Sequence, residues 1–600
     1  MKFSRLADYF SKIEATPKRL EMTDLLAKLL KEATSSEIDK ICYLALGQLA
    51  PLYEGVEFNL AEKMMVRIMA EAYDKPQEEV RKLYKKKGDL GEAAEELGSK
   101  FKVKSLKLTV DQVYRELRKV AEIEGAGSQE KKVKWAAELL KKLDPLSTRF
   151  VTRIPVKKLR LGFSDKTILD ALSVMEVGDK SARAGIERAY NVLADIGKIA
   201  QLVKTKGVKG LAKIKVSVGT PVRMAAAERL PTPQEIIDKM GGRLAAEPKY
   251  DGFRVQLHLD KSRKLKEREG GEQLALLAAE VGGPWVKIFS RNLEDTTAMF
   301  PEIVAAAQKL PAKSVIMEGE AIAYNPETEE FEPFQETAKR KRKYDVMEKA
   351  EKLPLKVFAF DLLYLDGRDL THNPYSTRRG ALEKLVKGSE NTILIAEEHE
   401  FKDAERLQEF FMEQVEHGLE GIMTKRLDGV YQAGVRNFNW VKLKRVEEGE
   451  LEDTIDCVVL GYYRGRGKRA EFGIGGFLVA VYDDKADAFK TISRVGTGLK
   501  DEEWREMKRR VDKISVKEKP KNVKVVKELV PDVWAAPQIV VAIRADEITR
   551  SPLHTAGARG DEPGLALRFP RLMAFRNDKA PEQATTVLEV EKLFKKQRKR

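Results

Sequence analysis

The 600-residue chain is poor in cysteine. Only Cys42 and Cys457 occur, far apart, which excludes a disulfide framework and a cysteine-rich zinc site. The histidines, His258, His372, His399, His417 and His554, fall at no zinc-ligand spacing. No stretch approaches the roughly 20 apolar residues of a membrane span. The start, Met1-Lys2-Phe3-Ser4, runs into an amphipathic helix pattern instead of a signal peptide, and these absences favour the cytoplasm. A Walker-type phosphate loop is missing as well: neither Gly197-Lys198 nor Gly467-Lys468 is followed by Ser or Thr. The glycines at 473, 475 and 476 read as a turn between strands.

What the chain does have is charge. It holds 110 Lys+Arg against 95 Asp+Glu, a surplus of +15. Two readings stay open at this level: a polyanionic partner, or the Lys- and Glu-rich surface of a heat-adapted protein. The 42% hydrophobic and 34% charged fractions describe a folded globular chain. Its length implies about three to six domains, or three large ones.

Hydrophobic periodicity divides the chain. Residues 1–215 read as an all-α domain. Leu25, Leu26, Leu29 and Leu30 share one helix face, as do Met64, Met65, Ile68 and Met69. Thr109-Val110-Asp111-Gln112 is a capping-box pattern. Residues 216–233, rich in Gly and Pro, read as a linker. Residues 234–446 form an α+β domain, with strand patterns around Val255, Leu257 and Leu259, over Val315–Ala323 and over Leu355–Leu365, and a helix over Leu407–Val415. After an acidic join at 447–453, residues 447–600 read as an all-β barrel of the OB-fold (oligonucleotide-binding) type, with strands at Ile455–Tyr463, Gly476–Tyr482 and Lys490–Val495. The end, through Lys595, Lys596, Arg598, Lys599 and Arg600, is a basic tail.

Glu247-Pro248-Lys249-Tyr250-Asp251-Gly252-Phe253-Arg254 is the segment with most chemistry. Lys249 lies beside a Gly turn, just before an alternating strand. A lysine amine ordinarily titrates near 10.4, so a nucleophilic lysine needs burial or neighbouring cations. Further segments follow in order: Phe289-Ser290-Arg291-Asn292, Glu318-Gly319-Glu320-Ala321, Phe358 through Gly367, Glu420 through Lys425, Trp440 through Lys444, and Arg568-Phe569-Pro570-Arg571 through Arg576-Asn577-Asp578-Lys579.

This ordered set resembles the motifs of covalent nucleotidyltransferases, and within them ATP-dependent DNA ligases of the archaeal and eukaryotic replicative type. The resemblance covers nearly the whole chain and includes Pro581 through Thr586. It implies a helical DNA-binding domain, a nucleotidyltransferase (adenylation) domain and an OB-fold domain. It further implies sealing of 5′-phosphate/3′-hydroxyl nicks in replication, repair and recombination, through lysyl-AMP on Lys249 and adenylated DNA. Glu247 would read the adenine amino group and Phe360 would stack on the ring. Arg254, Arg291 and Arg436 would hold sugar and phosphate groups, for which the guanidinium fork is suited. Glu320 and Glu420 are the metal candidates, with Glu318 open. Lys425, Lys442 and Lys444 would bring cations to the triphosphate. Arg576, Asp578 and Lys579 would contact the leaving pyrophosphate, with 447–453 as the hinge that swings the barrel. Lys158 and Arg160 would grip the DNA backbone.

The implied donor is ATP, with ADP and GTP as alternatives, and the implied metal is Mg2+, with Mn2+ as the alternative. The implied partner is nicked duplex DNA, met by a monomer at the nucleoid of a prokaryote. Related ligases also dock on a sliding clamp through a Gln-x-x-aliphatic-x-x-aromatic-aromatic box; Gly98-Ser99-Lys100-Phe101-Lys102 matches it poorly. Two other readings remain: an RNA ligase or capping guanylyltransferase, and a noncatalytic DNA-binding scaffold.

Overall fold

The computed structural model describes residues 1–100, 107–125, 127–264, 283–326, 330–332, 334–341, 346–388, 391–416, 419–444, 454–465, 472–496, 499–545, 547–560, 562–568 and 570–597. The chain forms two compact units, Met1–Arg445 and Val446–Arg600. The expected hinge at 447–453, the tail residues Arg598 to Arg600 and two residues of the clamp-box candidate, Phe101 and Lys102, lie outside the described residues.

The first unit begins with twelve described α-helices between Phe3 and Lys206, packed around one apolar core. Leu26, Leu29 and Leu30 are buried in it, as are Met65, Ile68 and Met69. The Thr109 capping box forms: the Thr109 hydroxyl accepts from Gln112 N at 3.2 Å, and the Gln112 side chain accepts from Thr109 N at 2.9 Å. The expected linker is not an open spacer. Val216, Val222 and Ala225 are buried with Ile316, Leu363, Tyr431 and Trp440 of the α+β region. Apolar residues spaced between its glycines and prolines fasten it there. Arg223, in the same stretch, pairs with Asp165 of the helical region at 2.7 Å.

The α+β region carries twelve described strands. They are β1 (Ala226–Arg229), β2 (Leu244–Pro248), β3 (Phe253–Lys264), β4 (Pro284–Ser290), β5 (Ser314–Asn325) and β6 (Glu330–Phe331). Then follow β7 (Leu355–Leu365), β8 (Arg368–Asp369), β9 (Ile393–Ile395), β10 (His399–Phe401), β11 (Gly421–Arg426) and β12 (Arg436–Lys444). One sheet runs β1-β12-β11-β2-β10; the other runs β4-β3-β5-β7-β8, with β6 on β5 and β9 on β7. The chain passes from one sheet to the other between β2 and β3, at Lys249. A helix at Ala404–Glu416 precedes β11, close to the expected span.

The second unit is β-rich. Ile455–Tyr463 pairs with Gly476–Asp483, which pairs with Ala488–Val495, so the three expected strands lie side by side. Bulges occur after Val459, Val479 and Ala542, and a bulge bends and twists its strand. Among the described residues the unit also carries two α-helices, Asp501–Lys513 and Val587–Gln597. The first is almost wholly charged, and only Trp504, Met507 and Val511 bury, at helical spacing.

Candidate active site

Lys249 follows β2, and its backbone N–H donates to Gly421 O at 2.9 Å. Gly421 has φ +137°, and a Cβ there would lie 2.2 Å from Leu443 O, so only glycine lets β11 approach β12 this closely beside Lys249. Gly252 serves a different end from the turn its sequence suggests. It lies where a Cβ would meet Ala321 O at 2.4 Å. This close approach lets its amide donate to Glu320 Oε1 at 3.2 Å.

A cavity of about 460 Å³ opens here, lined among others by Glu247, Lys249, Arg254, Arg291, Glu320, Phe360, Lys425, Arg436 and Lys442. Residues that lie far apart in sequence thus face one space. Lys249 Nζ lies 2.5 Å from Glu420 Oε2, and Lys444 Nζ lies 2.8 Å from the same oxygen. Burial pushes the Glu420 carboxyl up, but Lys249 and Lys444 outweigh it and hold it below the usual range. Glu320 is pushed up to about 7, chiefly by burial, against the pull of Lys249 and Arg254. Lys442 is pushed down by burial and then by Lys444, Arg436, Lys249 and Arg291, so five cations crowd the mouth of one pocket.

Glu318, left open by its spacing, is fully buried and accepts from Arg254 Nη2 at 2.8 Å and from Gln256 Nε2 at 3.0 Å. It holds Arg254 in place, while Glu320 reaches the cavity. A β-bulge between Glu318 and Gly319, in the pairing of β5 with β7, accompanies this difference. Lys425 lines the same cavity. Its Nζ is buried and donates to Glu247 Oε1 at 2.7 Å and to Phe360 O at 3.0 Å, beneath the rings of Phe360, Tyr375 and Trp440. Phe360 lines the cavity, edge-on to Trp440 with ring centroids 5.9 Å apart. Sequence reasoning did not single out Tyr250, Lys341, Met423 and Trp440, which also line it. Met423 and Trp440 fall inside quoted motifs, and the strand alternation that turns Lys442 into the cavity also turns Trp440 there.

Glu320 and Glu420, the two carboxylates that interact with Lys249, are hard oxygen donors of the kind that suit a small divalent cation. Among the described residues no group of three or more His, Cys, Asp or Glu is placed to hold a metal. Phosphate oxygens and water would complete the shell around Glu320 and Glu420.

Elsewhere in the first unit, Lys158 pairs with Glu62, and Arg160 pairs with Asp89 at 2.9 Å, in the loop before the helix Asp165–Val177. In the second unit, Arg576 Nη1 lies 3.0 Å from Asp456 Oδ2, and its Nε and Nη2 bind Asp578 at 2.9 and 2.7 Å. Lys579 Nζ donates to Asp456 Oδ2 at 2.6 Å. The sequence did not mark Asp456, which the fold sets against both cations.

Three family models match the chain: DNA ligase N terminus over residues 2–173, ATP dependent DNA ligase domain over 277–444, and ATP dependent DNA ligase C terminal region over 470–579. A "Probable DNA ligase" of Dictyoglomus turgidum is 48% identical over all of this chain and 98% of its own length. The chain belongs to the ATP-dependent DNA ligase family. A "DNA ligase 2" of Thermofilum pendens is 42% identical, and a "DNA ligase" of Saccharolobus solfataricus 38%, each over all of this chain and 98% of its own length. A solved structure titled "Pmar-Lig_PreS3" shares the fold, with TM-score 0.52 and 19% identity over 95% of this chain and 99% of that one. The central family model begins after Lys249, so at that residue the likeness rests on the full-length relatives.

Proposed function

We propose that this ligase seals 5′-phosphate/3′-hydroxyl nicks in duplex DNA with ATP as donor, and that Lys249 is the nucleophile. Membership of the ATP-dependent DNA ligase family supports the reaction. The observation that carries the residue assignment is the position of Lys249: its amine lines the cavity against Glu420, amid the cations of Arg254, Arg291, Arg436, Lys442 and Lys444.

In the first step the Lys249 nitrogen bonds to the α-phosphorus of ATP, the bond to the bridging oxygen breaks, and pyrophosphate leaves. The amine must give up a proton, which passes to solvent. In the second step a 5′-phosphate oxygen of the nick attacks the adenylate phosphorus and Lys249 leaves, regaining a proton. In the third step the 3′-hydroxyl oxygen attacks the activated 5′-phosphorus, loses its proton, and AMP leaves. Each step is phosphoryl transfer, so positioning and charge neutralisation dominate. Arg254, Arg291, Arg436, Lys442 and Lys444 supply fixed positive charge to the phosphate oxygens. Mg2+, held through Glu320 and Glu420, would add neutralising charge on those oxygens when bound.

Glu247 and Phe360 serve the purine, and Arg576, Asp578 and Lys579 the pyrophosphate. Lys158 and Arg160 contact the DNA backbone after exchanging Glu62 and Asp89 for phosphates. The ligase works on DNA in the cytoplasm of a prokaryote. No helix among the described residues is long and apolar enough to cross a membrane.

The test incubates wild type and Lys249→Ala with α-labelled ATP or GTP, followed by a denaturing gel and a nick-sealing assay. Wild type carries label and seals; Lys249→Ala does neither. A labelled Lys249→Ala chain overturns the assignment. Label from GTP alone would favour a capping-type enzyme.

A further inference from the structure

Beneath the cavity lies a buried charge network that none of the three transfer steps uses. Glu247, at 4% exposure, lines the cavity, and its two oxygens are treated differently. Oε1 accepts from Lys425 Nζ at 2.7 Å, Tyr375 OH at 3.0 Å and Arg379 Nη1 at 3.5 Å. Oε2 has no hydrogen-bond donor among the described residues. Tyr375 and Arg379 stand one turn apart on the helix Tyr375–Val386 and are both buried. The single Tyr375 hydroxyl proton is shared between Glu247 Oε1 and the nearer Glu398 Oε2, and Arg379 Nη2 donates to Ala396 O at 2.6 Å, on the cavity wall. These groups come from two separate segments, the helix Tyr375–Val386 and β11, and converge on one carboxylate oxygen.

A carboxylate pinned through one oxygen cannot turn, and its other oxygen becomes a directional acceptor with no proton to offer. Such an acceptor pairs with an exocyclic amine on a purine and repels a carbonyl at the same position, which would leave two acceptors facing each other. We propose that Tyr375 and Arg379 are positioning residues that fix Glu247 toward the purine and thereby set the preference for a donor with an amine at C6 (adenine) over one with a carbonyl there (guanine). This rests on Glu247 as the purine-reading residue but assigns the selectivity to the side chains that hold it. Lys425 is the third support, through its contact with Glu247 Oε1.

The experiment measures formation of the covalent lysyl-nucleotide on the full chain with ATP and with GTP, and takes the ratio of kcat/KM for the two. This ratio is internal to each variant, so a reduced folded fraction does not move it. Tyr375→Phe removes one donor to Glu247 Oε1 and keeps the ring. The expected result is a fall of about tenfold in the ATP:GTP ratio, carried by a higher KM for ATP with kcat little changed. Arg379→Lys lowers the ratio in the same direction, and it stands in should Tyr375→Phe not fold. Glu247→Gln, whose amide can turn a donor toward a carbonyl, lowers the ratio further. An unchanged ratio in Tyr375→Phe or Arg379→Lys, beside a lowered one in Glu247→Gln, overturns the proposal and leaves the Glu247 reading intact. An unchanged ratio in Glu247→Gln overturns the Glu247 reading and the proposal with it.

Discussion

Two charge clusters in this ligase are built from the same chemistry and differ in wetness. At the cavity of the first unit, the buried residues Glu247, Lys425, Arg379 and Tyr375 interlock, with Glu398 half-buried at their edge, and nearby Arg378 and Asp361 are both fully enclosed. On the second unit, Arg576, Lys579, Asp456 and Asp578 form an equally satisfied set, but Asp578 is exposed and Arg576 and Lys579 are partly so. Water reaches Asp578, Lys579 and Arg576 of the second cluster, so these groups can exchange partners more readily than enclosed ones, although Asp456 itself is buried. In the first cluster no water stands in for a lost partner, and one arrangement persists. A dry network suits recognition of a fixed shape. A wet one suits residues that must change partners between steps.

The sharpest way to break the comparison is Arg378→Met. Arg378 donates to both oxygens of Asp361, at 2.7 and 2.9 Å, and to Asn373 O and Gly429 O at 2.7 and 3.0 Å. Its removal strands a buried carboxylate and costs about 3–5 kcal/mol of stability, read from the denaturant midpoint of the unfolding transition of the first unit. On the wet side, Arg576→Ala leaves the melting temperature in place. It slows lysyl-AMP formation about 100-fold, the scale for losing one preorganised donor, and slows sealing of pre-adenylated DNA far less. Equal loss in both steps would sink the pyrophosphate assignment.

A smaller effect comes from pH. His258 is fully buried, with Nδ1 accepting from Gly219 N at 3.1 Å, and burial pushes it down to about 3 from an unfolded value near 6.5. The folded state keeps it neutral while the unfolded state takes up a proton below 6.5. Its contribution is therefore fully present above that pH and is lost progressively as pH falls toward 3. Between pH 6.5 and 5 the first unit loses about 2 kcal/mol through this group alone. His258→Gln flattens that part of the stability profile, as denaturant titrations at the two pH values will show. The smallest effect is at Arg5, whose exposed pair with Glu32 at 2.8 Å is fully solvated. Arg5→Ala leaves the melting curve unchanged within measurement.

Several elements were legible before folding because their signal is local. Leu355–Leu365 and Ile455–Tyr463 are strands over the residues their apolar runs mark, and the Thr109 cap reads from four consecutive residues. The helix Asp501–Lys513 escaped because its three buried residues are diluted by charge. At the site, motif order brought Lys249, Glu320, Phe360 and Lys442 to attention, and all four line one cavity. Tyr375, Arg379 and Asp456 gave no such signal. Each matters through a partner 120 or more residues away, and no local pattern encodes such a distance.

The sequence by itself determined the reactive groups, the strand and helix periodicities that carry them, and the positive surplus a DNA substrate calls for. Only the tertiary structure decided which charges share a partner. It made Glu318 a support and Glu320 a cavity wall, although they stand two residues apart. It also set the Lys425 amine against Glu247 and the Phe360 carbonyl. The reason is physical: a charge acts through its distance to other charges and to water, and both are set by how distant segments pack.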